Sequence, residues 1–394
     1  VRPSFDALSF WREPDFSGRM AWYREVAADR LPAKYRICAA LPAGVALDAP
    51  EEELWRALDE GTEKFLSLRE KVRRGQPLGN ERPIPSLLDL VAELGQRMLA
   101  HCNFCKWDCR VDRTRGAKMG ACKLAAETRV SSAFHHRGEE LVYRGTHGSG
   151  TIFFTSCNMR CAFCQNGDIS TDRLNGEPVD ARTLAAIAVQ LRLEGCHNIN
   201  WVGGDPTIHL HTILDAIAFF PAGFNAPMLW NSNFFQSEEA MKLLRLTMDV
   251  WLPDFKFGPG RCAIELARTG WYWDTVTGNL LKLREWGEEC TIRHLVMPGH
   301  VECCTAPVLD WIAGHMAEAP VNIMDQYHPD NYCDPGNENF MERYRPLARL
   351  PQRSEILAAF RHAKARGLRF ESLSYERNRT GTEKGSGPFS IKGS

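Results

Sequence analysis

The chain has 394 residues, 44% hydrophobic and 25% charged, with a formal net charge of −1. That balance excludes a nucleic-acid binder or a membrane-surface protein defined by global charge. No apolar run approaches the roughly 20 residues that span a bilayer. The opening Val1-Arg2-Pro3-Ser4-Phe5-Asp6 lacks the apolar centre of a signal peptide, so the chain reads as cytoplasmic, with no membrane partner. Fourteen cysteines are many for such a protein, and in a reducing compartment they point to metal or redox work rather than disulfides.

Residues 1–100 read as a helical N-terminal extension, separable from the rest of the chain. Leu54, Leu58, Phe65 and Leu68 lie among charged residues from Glu51 to Arg74, an amphipathic pattern. Gly75-Gln76-Pro77-Leu78-Gly79-Asn80 breaks it, and Pro85 opens a second helix reaching Leu99. No catalytic motif stands here. Packing against the later domain is the plain reading, and a platform for a partner or substrate the sharper one.

Residues 101–148 form a cysteine-rich segment. Cys102, Cys105, Cys109 and Cys122 supply four thiolates, enough for a tetrahedral zinc or iron site or for the irons of a [4Fe–4S] cluster. Lys106, Arg110, Arg113, Arg115, Lys118 and Lys123 surround them. These offset thiolate charge or form a solvated face; without stacking aromatics at recognition spacing they make a poor RNA site.

From residue 149 to 376 short β-rich runs alternate with helical stretches. The runs are Thr151–Ser156, Asn198–Val202, Met228–Ser232, Val250–Phe255, Cys290–Met297 and Val321–Met324. Between them, Leu184, Ile187, Ala188 and Leu191 keep helical spacing, as do Leu210, Ile213, Leu214 and Ile217. Ser354 to Arg366, stopped by Gly367, reads as a further helix. Six β/α units predict an α/β fold with a parallel sheet curling toward a barrel, its chemistry at the C-terminal strand ends. The tail, residues 377–394, is rich in Gly, Ser, Lys and Thr and reads as flexible.

Directly after the first run comes Cys157-Asn158-Met159-Arg160-Cys161-Ala162-Phe163-Cys164. Three thiolates this close can hold three irons of a cubane and leave the fourth open to a small ligand, unlike ferredoxin-type ligation by four cysteines. Structural zinc sites prefer four ligands in paired C-x2-C knuckles. The loop resembles the signature of the radical S-adenosylmethionine (SAM) superfamily. That resemblance implies a partial (β/α)6 barrel, a [4Fe–4S] cluster on Cys157, Cys161 and Cys164, and SAM chelated at the open iron, with Phe163 near its adenine.

The resemblance extends to the later strand ends. Gly203-Gly204-Asp205 stands where the superfamily carries Gly-Gly-Glu, which binds the amino group of SAM; Asp205 is one methylene shorter. Asn231 and Ser232 end the third run and join the cofactor-binding set. Asp254 and Lys256 put opposite charges on one side of a strand end, as a rim salt bridge or as a pair near SAM. Arg293 and His294 are candidate contacts to its carboxylate or ribose. Asp325-Gln326-Tyr327-His328, after the sixth run, suit the substrate side.

Together with Leu252-Pro253-Asp254-Phe255-Lys256 and Arg293-His294-Leu295-Val296-Met297-Pro298-Gly299, the loop resembles the pyruvate formate-lyase activating enzyme-like proteins. The implied activity is reductive cleavage of SAM to a 5′-deoxyadenosyl radical for hydrogen abstraction. An external donor such as flavodoxin or ferredoxin would supply the electron. An activase acting on a protein or peptide and a tailoring enzyme acting on a small metabolite are both open. A non-catalytic iron–sulfur electron carrier or zinc scaffold is the rival from another class. Cys38, Cys196, Cys262, Cys290, Cys303, Cys304 and Cys333 are dispersed and read mostly as small buried hydrophobes. Among them, Cys303, Cys304 or Cys333 could return a hydrogen atom to a product radical.

Overall fold

A computed structural model describes residues 18–79 and 81–374. The expected flexible tail lies outside the described residues. Eight strands carry the frame: β1 (Thr128–His136), β2 (Ser149–Phe154), β3 (Glu177–Val179), β4 (Ile199–Gly203), β5 (Met228–Ser232), β6 (Val250–Pro253), β7 (Ile292–Leu295) and β8 (Val321–Met324). β2, β4, β5 and β6 run parallel in that order, and β7 pairs β8 in parallel. Isolated parallel bridges, Trp251 to Cys290 and Asp254 to Arg293, join β6 to β7. The six runs expected from the sequence therefore form one mostly parallel α/β array. β1 lies antiparallel against β2 and β3 against β1. These two extend the open edge, and β1 falls within the cysteine-rich segment of residues 101–148.

The strand faces divide the core. Ile152, Trp201, Trp230 and Trp251 stand in one register row across four strands, each fully buried. Three indoles in a row bury a large apolar area and give the outer helices a continuous surface to pack on. The helices Ala181–Leu193 and Leu210–Ala218 follow the predicted spacing, and Leu210–Ala218 also packs on Leu87–Arg97. Leu87–Arg97 starts at Ser86 in a capping box with Asp89. Just beyond the helix Arg353–Ala365, Gly367 adopts φ +69°, a left-handed stop that glycine takes without a Cβ clash.

The neighbouring row of the same strands joins a second cluster, Met20, Tyr23, Leu141, Val142, Tyr143, Leu229, Val250, Leu252 and Leu373. Met20 and Tyr23 of the N-terminal hundred residues thus pack directly on the strands. Asp249 accepts from Trp22 Nε1 at 2.8 Å and Lys34 N at 2.9 Å, and Glu288 takes both Lys34 and Arg69. Buried ions hold a fold in register only when paired, and these are.

A polar layer lies at the second residue of three strands. Arg293 of β7 is gripped by Glu139 and Glu140 from the β1–β2 connection; Asn200 of β4 donates to Glu139 and Asn322 of β8 to Glu140, both at 2.8 Å. Among the described residues, no helix is long and apolar enough to cross a membrane.

Candidate active site

β2 ends at Phe154, and the chain turns through Ser156 at φ +69° into Cys157. Ser156 is pinned on both sides, its N–H donating to Ile169 O (2.8 Å) and its Oγ to Cys122 O (2.7 Å). Arg160 braces the loop from within, its guanidinium donating to Cys157 O (2.6 Å), Met159 O (3.0 Å) and Ala121 O (2.8 Å). From outside, the short helix Cys262–Ala267 holds it: Ala162 N–H donates to Leu266 O (2.7 Å) and Arg160 N–H to Ala267 O (3.1 Å).

The sulfurs receive donors. Met159 N–H lies 3.3 Å and Asn233 Nδ2 3.6 Å from Cys157 Sγ, and Ser170 Oγ lies 3.3 Å from Cys164 Sγ. Such bonds favour the thiolate form that binds metal. Burial pushes the Cys161 thiol up to about 12, with the Lys256 charge opposing. Burial likewise raises Cys157 and Cys164. Without a metal these thiols stay protonated.

The two glycines after β4 serve a close backbone approach. A Cβ on Gly203, whose φ is +124°, would stand 2.1 Å from Phe154 N, and one on Gly204 would stand 1.8 Å from Ser156 O. Their absence of side chain lets Asp205 N–H reach Ser156 O at 3.0 Å. The Asp205 carboxylate accepts from Thr207 N and Asn233 N, both at 2.9 Å. Burial pushes its carboxyl up, and these two amides oppose that. Asp205 is therefore a clamp joining the ends of β4 and β5 beside the cysteine loop.

Lys256 pairs with Asp254, and its charge acts on all three loop thiols. Phe163 is buried between Phe257 and Tyr327, ring centroids 6.0 and 5.9 Å away. Ser232 Oγ accepts from Phe234 N at 3.2 Å, and Asn231 Oδ1 lies 3.4 Å from Arg293 Nη1.

Arg293 and His294 each have partners within the fold. Arg293 is taken by Glu139 and Glu140 in the polar layer of the strands. His294 is fully buried with both ring nitrogens engaged, Nδ1 on Phe255 O (2.8 Å) and Nε2 on Thr305 Oγ1 (2.9 Å). Burial lowers it to about 4, a neutral core imidazole. The physical reason is the same for both: a buried polar group needs a full set of partners, and neighbours in the fold supply them.

The four-cysteine segment packs directly on the loop, with Trp107 Nε1 donating to Asn158 O at 2.7 Å. Cys102, Cys105 and Cys122 are buried and Cys109 partly so. Burial raises the Cys105 thiol, and Cys122, Cys102 and Cys109 add to that rise.

Among the described residues, a different set comes closest together: the ligand atoms of Cys262, His300, Cys303 and Cys304 lie within 4.8 Å of one another. Sequence reasoning misses this set. Its signal is His300-x2-Cys303-Cys304, whose fourth member is 38 residues upstream of the histidine. Among the described residues, neither the Cys157–Cys164 loop nor the Cys102–Cys122 segment forms so close a group. A cubane does not ask for one, since each sulfur meets a separate iron. Asn158 Nδ2, on the Cys157–Cys164 loop, is a buried donor without a protein partner.

Comparison with known proteins bears on this site. The model of the Radical SAM superfamily matches residues 151–312. MJ0674, an uncharacterized protein of Methanocaldococcus jannaschii, is 35% identical over 324 residues, covering 79% of this chain and 89% of that protein. The chain belongs to the radical SAM superfamily. That family implies an enzyme with a [4Fe–4S] cluster and SAM.

Solved structures resemble the chain weakly. Streptococcus suis SuiB bound to S-adenosylmethionine is 16% identical with a TM-score of 0.40, over 55% of this chain and 48% of SuiB. The anSMEcpe protein with bound AdoMet is 12% identical with a TM-score of 0.34, over 47% of this chain and 52% of anSMEcpe. The chain thus spans about half the length of each.

Proposed function

We propose that this radical SAM protein cleaves SAM reductively at Cys157, Cys161 and Cys164 and abstracts hydrogen from a protein or peptide, in the manner of an activase. One observation carries the cofactor assignment: three cysteines sit on the loop at the C-terminal end of β2, two of them (Cys157 and Cys164) with donors to their sulfurs, and the Gly203–Asp205 clamp is seated against the loop backbone. Bound at this loop, a [4Fe–4S] cluster with SAM would supply one-electron reductive C–S cleavage, with methionine as the leaving group, and hence the power to abstract hydrogen. The protein's own residues bind, orient and exclude water. Cys157, Cys161 and Cys164 hold three irons. Lys256 supplies positive charge beside them and is placed to meet the SAM carboxylate, while Phe163 offers a ring for the adenine. Gly203, Gly204 and Asp205 shape the methionyl side.

The likeness of the Asp254–Lys256 and Arg293–Gly299 stretches to pyruvate formate-lyase activating enzyme-like proteins supports the activase reading. A small electron-transfer protein such as flavodoxin or ferredoxin would deliver the electron. Cys102, Cys105, Cys109 and Cys122 form a second metal centre on this reading, supported by the burial of three of them in a segment that packs on the loop.

The test is anaerobic reconstitution with iron and sulfide, then SAM and dithionite. Wild type should yield 5′-deoxyadenosine, and Cys161→Ala should yield none. A variant that still cleaves SAM would refute the assignment. A glycine-loop peptide that acquires the radical would support the activase class; turnover of a metabolite alone would reject it.

A further inference from the structure

We propose that Cys262, His300, Cys303 and Cys304 form a site for a single zinc ion that anchors the helix holding the cluster loop. The site lies outside the cluster and SAM machinery. Cys262 Sγ and Cys303 Sγ are 3.6 Å apart, and Cys303 Sγ and Cys304 Sγ 4.0 Å. His300 Nδ1 lies 3.2 Å from Cys303 Sγ and 3.6 Å from Cys262 Sγ. A tetrahedral ion with metal–sulfur bonds of about 2.3 Å and metal–nitrogen bonds of about 2.0 Å sets its sulfurs about 3.8 Å apart and nitrogen about 3.5 Å from sulfur. The observed separations bracket those values. They are too long for a disulfide, whose sulfurs are bonded at about 2.0 Å. Three thiols and one imidazole are a structural zinc donor set.

The backbone is built to bring these groups together. Val301–Thr305 forms a π-helical turn, with Cys304 N–H (3.0 Å) and Thr305 N–H (3.1 Å) both donating to His300 O. Such turns are rare and concentrate at functional sites. This turn carries Cys303 and Cys304 within reach of His300 and Cys262. Gly258 makes room: a Cβ there would stand 2.0 Å from Cys303 O. Cys304 is fully buried, whereas Cys303 is exposed and leaves an entry path for the ion.

The consequence reaches the active-site loop. Cys262 begins the helix whose last carbonyls, Leu266 O and Ala267 O, accept from Ala162 and Arg160. An ion tying Cys262 to the π turn fixes the near end of that helix while its far end fixes the loop. Binding displaces three thiol protons and changes no oxidation state.

The full-length chain, reconstituted anaerobically, is analysed for zinc and iron in wild type, Cys303→Ser and Cys161→Ala. Cys303→Ser should lose one equivalent of zinc and then lose iron to a chelator several-fold faster than wild type. Cys161→Ala should lose cluster iron and keep that zinc, which separates this site from the cluster assignment. A Cys303→Ser protein with wild-type zinc overturns the site, and an unchanged rate of iron loss overturns the anchoring role. A second measurement needs no variant: zinc alone, added to chelator-treated wild type, should protect Cys303 from iodoacetamide in peptide mapping. Unchanged labelling, or a Cys262–Cys303 disulfide in anaerobic protein, also overturns the site.

Discussion

Two groups of cysteines sit at opposite ends of the six-residue helix Cys262–Ala267, and they invert each other. Cys157, Cys161 and Cys164 are close in sequence without forming a single-ion group, with donors aimed at Cys157 Sγ from Met159 and Asn233 and at Cys164 Sγ from Ser170. Cys262 stands 41 residues before the Cys303-Cys304 pair and meets it in space beside His300. A cubane needs the first arrangement, since each sulfur binds its own iron. A single tetrahedral ion needs the second. Sequence spacing therefore reveals a loop that wraps a large cofactor, and it hides a site that only the packing of distant segments assembles.

The largest expected effect separates the two groups. Cys161→Ala should abolish cluster iron and 5′-deoxyadenosine formation while zinc at the π turn stays, read by metal analysis and chromatography on one preparation. If zinc is lost together with the iron, the groups are one cooperative unit and the contrast fails.

Gly204→Ala comes next. Its Cβ would fall 1.8 Å from Ser156 O, a backbone atom that cannot rotate away. The strand end must shift, at a cost of about 3 kcal/mol in denaturant unfolding, with weaker iron retention and unchanged zinc. A variant as stable as wild type would mean the loop entry is not fixed by that contact.

His294 touches both regions, bonding to Phe255 O ahead of Lys256 and to Thr305 Oγ1 in the π turn. Its pKa falls from 6.5 to about 4 because burial disfavours the charged ring. Between those values the unfolded chain takes up a proton that the native state refuses, so stability is lost as pH falls from 6.5 toward 4. Measured against His294→Gln, the wild-type advantage should shrink by about 2 kcal/mol between pH 7 and pH 5. An advantage independent of pH would show that the ring titrates in the fold as it does in the unfolded chain.

Asn233→Leu is the mildest. It removes the donor 3.6 Å from Cys157 Sγ and should weaken iron binding about 10-fold, read by chelator competition. No change would assign that amide to the loop alone, through its 2.6 Å bond to Asn158 Oδ1.

The six parallel strands, the cysteine loop at the first strand end and the glycines after the second were all legible in the chain, because each depends on neighbours a few residues away. Alternating β-rich runs and helical spacing set which face each residue presents, and C-x3-C-x2-C is a local pattern. The sequence by itself thus determined the α/β frame and where on it a cluster would sit.

Tertiary structure decided the partners of the buried polar groups. Arg293 and His294 looked like cofactor contacts at a strand end, yet Glu139 and Glu140 claim the first, and Phe255 and Thr305 the second. Glu139 lies 154 residues from Arg293 in the chain, so no spacing rule could pair them. The π-turn group was invisible for the same reason, Cys262 meeting Cys303 only after β7 has paired and the turn has wound. Local periodicity follows from backbone geometry, whereas the satisfaction of a buried charge or thiol is settled by whatever the completed fold places beside it.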